Sequence, residues 1–249
     1  MVTGHRGAAG LAPENTLASI QLALDLGVNR IEIDVQQTAD NKVIVIHDAT
    51  LRRTTNGFGR IRNKTFEEIR SLSAGIKFHR NYIHEKIPTL EEVIQLINGK
   101  VELLIEVKYS YLYYPFIEKN VIEIIKTHKA KNWCKIISFN DRVLKMVNQL
   151  DDSIKLGKLF VGKSANLPLS FDKSINFKPL SKYRYVDEII VQYKYAYPKL
   201  IEKVHSMDKP ISVWTVNDEE KFKKLIDLGI DSIITDYPNK LIHLLKTSQ

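Results

Sequence analysis

Short apolar runs rich in β-branched residues alternate along the chain with amphipathic windows of helical period. The strand candidates are VTGH, RIEIDVQ, KVIVIHD, ELLIEVK, KIISF, KLGKLF, EIIVQY, ISVWTV and SIITDY. A single helical window lies between most of them. Strands separated by single helices predict a parallel sheet covered by helices, which is either open and doubly wound or closed into a barrel. Nine candidates fit an eight-stranded barrel with one additional strand.

Capping residues predict where several helices begin. The first helix is predicted over residues 16–26, with Asn15 or Thr16 as its N-cap and a glycine directly after its last turn. The stretch PTLEEV has the spacing of a capping box and predicts a second helix start. Two further starts are predicted near the end of the sequence, at Asn217 and at Pro238.

Three stretches interrupt this alternation. Only TADN separates RIEIDVQ from KVIVIHD, which is too short for a helical crossover and indicates a hairpin or a strand extension. Residues 49–87 indicate an insertion with at most a short helix at residues 66–72, and residues 162–187 indicate a long irregular connection. Because the alternation resumes after each, we expect residues 1–249 to form a single domain.

Composition fits an ordinary globular protein, with 44% hydrophobic and 27% charged residues in 249. The sequence contains no apolar run of about 18 residues and no charged, then apolar, leader at its start. We therefore expect a soluble protein. A leader removed before the first residue would leave no trace, so a cytoplasmic and an exported location both stay open. The oligomeric state is equally open.

The net charge of +8 could attract anionic small molecules, a membrane surface or nucleic acid. Many lysines lie in amphipathic segments such as DEEKFKKLIDLG, where they form solvated helix faces. No nucleic-acid-binding motif accompanies the charge, so we expect a small-molecule substrate and no nucleic-acid partner. The single cysteine, Cys134, has apolar neighbours and is interpreted as a buried, unreactive thiol.

Two acidic residues stand two positions apart in RIEIDVQ. On a strand, Glu32 and Asp34 point to the same side, while the isoleucines and valine between and beside them point to the other. In a barrel, the carboxylates would then face the interior. Two like charges in a confined space repel each other unless a cation or a proton lies between them, so the pair indicates a metal site.

The run ELLIEVK repeats this arrangement with Glu106 and Lys108. Three carboxylates without a thiolate favour one hard divalent cation, Mg²⁺ or Ca²⁺. Lys108 would then bind an anion beside the metal. The alternative is that each acid forms a structural ion pair with an arginine or lysine inside the barrel.

Two histidines lie at the ends of strand candidates. His5 ends the first strand and His47 closes KVIVIHD, at the edge where barrel enzymes hold their catalytic groups. The pair is suited to general acid and general base catalysis, and Arg6 offers paired donors for a phosphate or carboxylate. Together with a metal, these groups suit hydrolysis or transesterification of a phosphate ester.

Several motifs resemble those of the glycerophosphodiester phosphodiesterases, in the same order along the chain: HRGAAGLAPENT, IEIDVQQTADNKVIVIHDATLRRTTNGFG, IPTLEEV, LLIEVK, WTVND and GIDSIITDYP. The resemblance is dense over residues 4–108 and returns over residues 211–238. It departs at Asn41 and Ser232, where glycine is usual, and neither position belongs to the predicted site.

The resemblance implies a TIM barrel with a small insertion after the His47–Asp48 motif. It also implies metal-dependent hydrolysis of glycerophosphodiesters, such as glycerophosphocholine or glycerophosphoethanolamine, to sn-glycerol 3-phosphate and an alcohol. The implied roles fall on seven residues present here: a divalent cation held by Glu32, Asp34 and Glu106, an acid–base pair of His5 and His47, and a phosphate clamp of Arg6 and Lys108.

The pocket for the alcohol group is expected to contain aromatic side chains, with Trp214, Phe139 and Tyr193 as candidates. Two alternative functions stay open. One is a phospholipase C-like or D-like enzyme acting on lipid phosphodiesters, which would need an exposed apolar rim, whereas the loops here are interpreted as polar. The other is a glycerophosphodiester-binding protein without catalytic activity, which would be expected to lack a histidine or a metal-binding acid.

Overall fold

The computed structural model describes residues 1–161 and 180–247. Nine strands in these ranges form one sheet that closes on itself. Their bounds are β1 Val2–His5, β2 Arg30–Gln37, β3 Val43–Val45, β4 Glu102–Val107, β5 Cys134–Ser138, β6 Lys155–Phe160, β7 Glu188–Gln192, β8 Ile211–Trp214 and β9 Ser232–Thr235. All nine sequence predictions of strands are confirmed, with shifts of a few residues at their ends.

The sheet is a closed parallel barrel of eight strands, so the expectation of a TIM barrel is confirmed and the open arrangement is excluded. Parallel pairing runs from β1 through β2, β4, β5, β6, β7 and β8 to β9, and β9 pairs with β1 to close the ring. The ninth strand, β3, pairs antiparallel with β2 outside this ring. The predicted hairpin at TADN is therefore present, and Asn41 adopts the left-handed conformation there, with φ of 64°.

Within the described residues, eight α-helices accompany the strands: α1 Leu17–Leu26, α2 Phe66–Arg70, α3 Leu90–Ile97, α4 Ile117–Thr127, α5 Asp141–Leu150, α6 Pro198–His205, α7 Glu219–Asp227 and α8 Pro238–Thr247. The predicted capping box of α3 and the predicted start of α8 at Pro238 are confirmed.

One predicted cap is confirmed and one needs correction. Of the two N-cap candidates of α1, Thr16 accepts the capping hydrogen bond, from the backbone N–H of Ser19. Asp218, not Asn217, caps α7 by accepting from the backbone N–H of Lys221. Both asparagine side chains instead bind carboxylates in the site described below, because a buried carboxylate needs donors that solvent does not supply there.

The inserted segment, residues 49–87, contains the expected short helix, α2, and two turns of 3₁₀ helix at Ile61–Asn63 and Arg80–Tyr82. It packs around a small apolar cluster of its own, joined to the barrel through β3. The buried members of the cluster are Ile44, Ile46, Leu51, Ile61, Ile69, Ala74 and Ile87. The predicted connection at residues 162–187 lies mostly outside the described residues.

Strand side chains alternate between the outer helices and the barrel interior. On β2, Ile31, Ile33 and Val35 belong to the large core shared with the helices, whereas Glu32 and Asp34 point inward. The middle of the interior is apolar. It is filled by Leu104, Ile137, Phe139, Leu159, Val161, Ile190 and Ile234. The acids therefore lie at one end of the barrel interior, beyond this apolar cluster.

The opposite end of the interior holds a buried ion network. Arg30 is 1% exposed and donates two hydrogen bonds to Glu188, while Lys135 also binds Glu188. These cations lower the pKa of the Glu188 carboxyl to about 2, against the effect of its burial. Outside the barrel wall, burial raises the pKa of the Cys134 thiol to about 12, as expected of an unreactive cysteine.

Candidate active site

Three carboxylates from neighbouring strands converge at the carboxyl end of the barrel. Oxygens of Glu32, Asp34 and Glu106 all lie within 4.8 Å of one another, and all three side chains are buried. Asp34 and Glu106 are register partners on β2 and β4, which explains how the strands bring them together. Burial, together with repulsion from the neighbouring carboxylates, raises the pKa of Glu32 and of Glu106. An all-oxygen donor set with uncompensated negative charge fits a hard divalent cation.

Two cations border this cluster. The Lys108 ammonium lies 2.8 Å from Glu106 and 3.0 Å from Asp34, and these carboxylates raise the pKa of the lysine against the effect of its burial. The Arg6 guanidinium lies 3.1 Å from Asp34 and 2.7 Å from Glu14. Lys108 and Arg6 in turn hold the pKa of Asp34 well below its ordinary value, although burial opposes them. The cluster therefore contains three negative and two positive groups.

The loop after β1 is shaped to place backbone donors against the acids. Arg6 adopts a left-handed conformation, with φ of 50°, and its backbone N–H donates to Glu32 at 3.1 Å. A side chain at Gly4 would meet the carbonyl oxygen of Gly7 at 2.4 Å, so this turn requires glycine there. Asn15 donates to Asp34 at 2.9 Å from the same loop. The GHRG stretch thus serves the cluster with its backbone as well as its side chains.

His5 lies beside the cluster and is held by a residue that sequence reasoning missed. Its Nδ1 is 2.6 Å from Asp236, and its Nε2 is 3.9 Å from Glu32. Asn217 supports Asp236 by donating to its carboxylate at 2.6 Å and by accepting from its backbone N–H. His5 and Asn217 lower the pKa of Asp236. The only sequence signal was that TDYP and WTVND belong to the motifs that carried the resemblance.

His47 has a comparable partner in its own neighbour. Its Nδ1 is 2.6 Å from Asp48, whose carboxylate also accepts from Arg53 at 2.7 Å. Burial and the nearby Lys108 and Arg6 lower the pKa of His47, despite the opposing effect of Asp34 and Asp48. The imidazole is therefore biased towards its neutral form.

Arg53 and Glu14 connect the two histidine-bearing loops. Arg53 donates to both oxygens of Glu14, at 2.6 and 2.8 Å, and Glu14 also accepts from Arg6. The bridge thus runs from Asp48, beside His47, to the phosphate-clamp candidate Arg6. Neither Glu14 nor Arg53 was among the predicted site residues.

Six of the seven residues of the predicted site line one cavity of about 400 Å³. The seventh, Asp34, does not line it but contacts Arg6 and Lys108, which do. One wall is polar and carries His5, His47 and Lys108. The other wall is apolar and is formed by Ile137, Phe139, Leu159, Val161, Trp214 and Ile234. Such a division suits a ligand with one charged and one less polar part.

Two of the three aromatic residues predicted to line the pocket do so, and the third does not. Trp214 and Phe139 both line the cavity and contact each other edge to face, with ring centroids 5.3 Å apart. Tyr193 is not among the described residues that line it. Instead it follows β7 in a short 3₁₀ turn, where Lys221 lies 5.6 Å from its ring centroid. Tyr109, which immediately follows Lys108, lines the cavity in its place.

The interpretation of the loops as polar is wrong. Leu112 and Phe116 in the loop after β4 are 64% and 65% exposed, and Phe58 in the inserted segment is 80% exposed. Leu112 and Phe116 stand in the aromatic and apolar run YLYYPFI, and Phe58 stands between two glycines, so their sequence pattern did not distinguish them from core positions. Among residues 1–161 and 180–247, no helix is long and apolar enough to cross a membrane.

Comparison with known proteins finds consistent relatives. Residues 5–240 match the family described as the glycerophosphoryl diester phosphodiesterase family. A glycerophosphodiester phosphodiesterase of Caldanaerobacter subterraneus is 37% identical over 247 residues, covering 99% of this chain and 98% of the relative. A glycerophosphodiester phosphodiesterase of Bacillus altitudinis is 32% identical, covering 98% and 97%.

Solved structures agree with these sequence relatives. A phosphodiesterase of Oleispira antarctica, solved in complex with the product sn-glycerol-3-phosphate, superposes with a TM-score of 0.88 at 27% identity, covering 99% of this chain and 96% of that one. A glycerophosphodiester phosphodiesterase of Agrobacterium tumefaciens superposes with a TM-score of 0.80 at 25% identity, covering 97% and 98%.

Proposed function

Because the chain belongs to the glycerophosphoryl diester phosphodiesterase family, and is a phosphodiesterase acting on glycerophosphodiesters, we propose that His5 and His47 are its acid–base pair. The substrates would be small water-soluble diesters such as glycerophosphocholine or glycerophosphoethanolamine, cleaved to sn-glycerol 3-phosphate and an alcohol. One observation carries the proposal: two histidines, two cations and two members of a buried three-carboxylate cluster line a single cavity. Each element of phosphodiester hydrolysis thus has a residue suited to it.

Glu32, Asp34 and Glu106 would hold one divalent cation, Mg²⁺ or Ca²⁺. When bound, the cation supplies positive charge that stabilises the developing negative charge of the phosphoryl oxygens. Lys108 and Arg6 add fixed positive charge at the same end of the cavity and orient the phosphate by direct hydrogen bonds. Their own contacts to Asp34 hold both side chains in place before the substrate arrives.

The surroundings of the two histidines support different roles. The lowered pKa of His47 keeps its imidazole neutral near pH 7, so it is suited to accept a proton from the attacking water, whose oxygen replaces the alcohol oxygen on phosphorus. His5, held at Nδ1 by the Asp236 carboxylate, presents Nε2 towards the cavity and is suited to protonate the leaving oxygen. The two Asp–His pairs fix the orientation of both rings.

The apolar wall would hold the alcohol group released from the phosphate. Trp214 and Phe139 form a rigid aromatic pair there. Aromatic faces attract a quaternary ammonium such as choline, which favours glycerophosphocholine over substrates with a polar alcohol such as inositol.

The test is hydrolysis of glycerophosphocholine, glycerophosphoinositol and intact phosphatidylcholine. Release of sn-glycerol 3-phosphate is the readout for the two deacylated substrates, and release of choline or phosphocholine is the readout for phosphatidylcholine. We expect release from the deacylated substrates only, its loss in EDTA, and its return on addition of Mg²⁺ or Ca²⁺. His5→Ala should lower kcat by at least about 100-fold, as expected for loss of an acid–base group. His205→Ala is the matched control, because His205 is exposed and pairs with Asp231 on the outer surface of the barrel.

Two results would contradict the proposal. An unchanged rate in EDTA and in the His5→Ala variant would exclude the metal and acid–base roles. Cleavage of intact phosphatidylcholine at a rate equal to that of glycerophosphocholine would favour the lipid-cleaving alternative.

A further inference from the structure

The exposed large hydrophobic side chains are concentrated in two segments of the chain. Of the eleven such residues that the structure describes, seven lie in residues 49–87 and 109–116, which together make up about a fifth of the chain. They are Phe58, Ile76, Phe78, Ile83, Tyr111, Leu112 and Phe116. Scattered exposed apolar residues need no explanation, but such a concentration marks an interaction surface. We call these two segments the apolar–basic face.

The same face carries most of the excess positive charge. Residues 49–87 contain nine Lys or Arg and three Glu, a formal charge of +6, compared with +8 for the whole chain. Three of the nine cations form ion pairs with acids. The other six have no ion-pair partner within the described part of the chain: Arg52, Arg60, Arg62, Lys77, Arg80 and Lys86. Their charge is therefore available to an external anion.

The two segments contact each other beside the cavity mouth. The guanidinium of Arg62 lies over the ring of Tyr113, 4.5 Å from its centroid. Tyr113 stacks on Tyr109 with ring centroids 4.6 Å apart, and Tyr109 lines the cavity together with Thr50. Each segment therefore begins at the cavity wall and extends outward from it.

We propose that the apolar–basic face docks on an anionic lipid surface. Exposed aromatic and aliphatic side chains interspersed with unpaired cations match the two components of such a surface, its acyl boundary and its negative head groups. A purely electrostatic partner, such as a nucleic acid, would leave the apolar side chains of this face without a role. Docking places the cavity mouth at the membrane, where deacylation of phospholipids releases water-soluble diesters. The proposed docking is peripheral, and it does not depend on the hydrolytic mechanism proposed above.

The experiment is co-sedimentation of the full chain with vesicles of phosphatidylcholine alone or mixed with phosphatidylglycerol. We expect partitioning into the anionic vesicles only, and its loss as salt is raised. Arg60→Gln combined with Arg80→Gln should weaken partitioning by about 30-fold, since each cation near an anionic surface accounts for about fivefold. Phe58→Ser combined with Leu112→Ser should weaken it by about tenfold.

Matched controls lie elsewhere on the surface. Leu150→Ser changes another exposed leucine, 47% exposed and at the end of α5, and Lys223→Gln with Lys224→Gln removes two exposed cations of α7. We expect both controls to retain vesicle binding within twofold. Hydrolysis of glycerophosphocholine in solution should be unchanged in every variant, so failure of docking leaves the proposed function standing.

Three outcomes would overturn the proposal. The first is absence of binding to anionic vesicles at low salt. The second is an equal loss of vesicle binding in the control variants, which would show that binding depends only on the overall charge of the chain. The third is vesicle binding that depends on the two arginines but not on Phe58 and Leu112, which would indicate a site for polyanions. Binding of single-stranded RNA would then identify that alternative.

Discussion

Removal of one carboxylate from the acidic cluster should stabilise the metal-free protein while abolishing its response to metal. The ligand oxygens of Glu32, Asp34 and Glu106 lie within 4.8 Å of one another, and Lys108 and Arg6 compensate two of the three charges. Two like charges about 4.8 Å apart repel by about 3.5 kcal/mol at an effective dielectric constant of about 20. We therefore expect Glu32→Gln to raise the free energy of unfolding in EDTA by about 2 kcal/mol at alkaline pH. Glutamine retains an acceptor for the Arg6 N–H.

The effect should depend on pH with a defined sign. Because the pKa of Glu32 is raised above its ordinary value of 4.5, the native protein binds more protons than the unfolded chain above that pH. The wild-type protein in EDTA should therefore lose stability as the pH rises through the raised pKa. The Gln variant lacks this loss of stability. The free energies of unfolding of the two proteins should therefore differ little at acidic pH and diverge as the pH increases.

Urea unfolding with and without excess divalent cation measures both effects. Metal at about 100 times its Kd should stabilise the wild-type protein by about 2.7 kcal/mol and the Gln variant by much less. Glu118→Gln is the control: Glu118 is also buried and has a raised pKa, but burial alone causes the shift. If Glu32→Gln is no more stable than wild type in EDTA at alkaline pH, or is stabilised equally by metal, the three acids are not a metal site.

Further predictions concern residues outside the acidic cluster. Asp236→Asn should lower kcat about 100-fold with little change in KM, since its carboxylate orients His5; unchanged steady-state kinetics would exclude this role. Glu188→Gln should cost about 3 kcal/mol of unfolding free energy at pH 7, since the folded pKa lies near 2 and the ordinary value is 4.5. This difference should shrink in urea titrations as the pH falls below 4.5, and a constant difference would contradict the assignment. Arg53→Gln should make the inserted segment several-fold more sensitive to limited chymotrypsin digestion, because its two ion pairs are lost, whereas Arg60→Gln should not; equal digestion of the two variants would show that Arg53 does not tether the segment.

Local periodicity was sufficient to predict a parallel sheet covered by helices, whereas the closed TIM barrel was implied by the family resemblance. The period-two pattern of β2 and β4 places Glu32 and Asp34 on one face of their strand and Glu106 on one face of its own, and in a barrel these faces point inward. Parallel register then brings the strands side by side, which the sequence implied through the alternation of strands and helices. The acid cluster could therefore be predicted from the sequence, because side chains two positions apart on a strand point to the same side of the sheet.

Contacts between distant parts of the chain were not readable in the same way. Asp236 lies 231 residues from His5 in sequence, so no local pattern relates them. Asn15 and Asn217 precede helices and matched the preference of asparagine for N-caps, yet Asn15 binds the buried Asp34 and Asn217 binds the half-buried Asp236 instead. The local preference gave way because a carboxylate shielded from water costs more when unsatisfied than a helix cap stabilises.

The closure of the barrel has a consequence for how activity is acquired. Strand β1 pairs with both β2 and β9, so the ring is completed only where the two ends of the described chain meet. The contact between His5 and Asp236 spans this same seam. A refolding molecule in which the other strands have paired but β1 has not yet paired with β9 would show nearly native helical content. In that molecule Asp236 would not yet orient His5. Recovery of catalytic rate during refolding should therefore lag behind recovery of secondary structure, which makes turnover a kinetic reporter of the closing step.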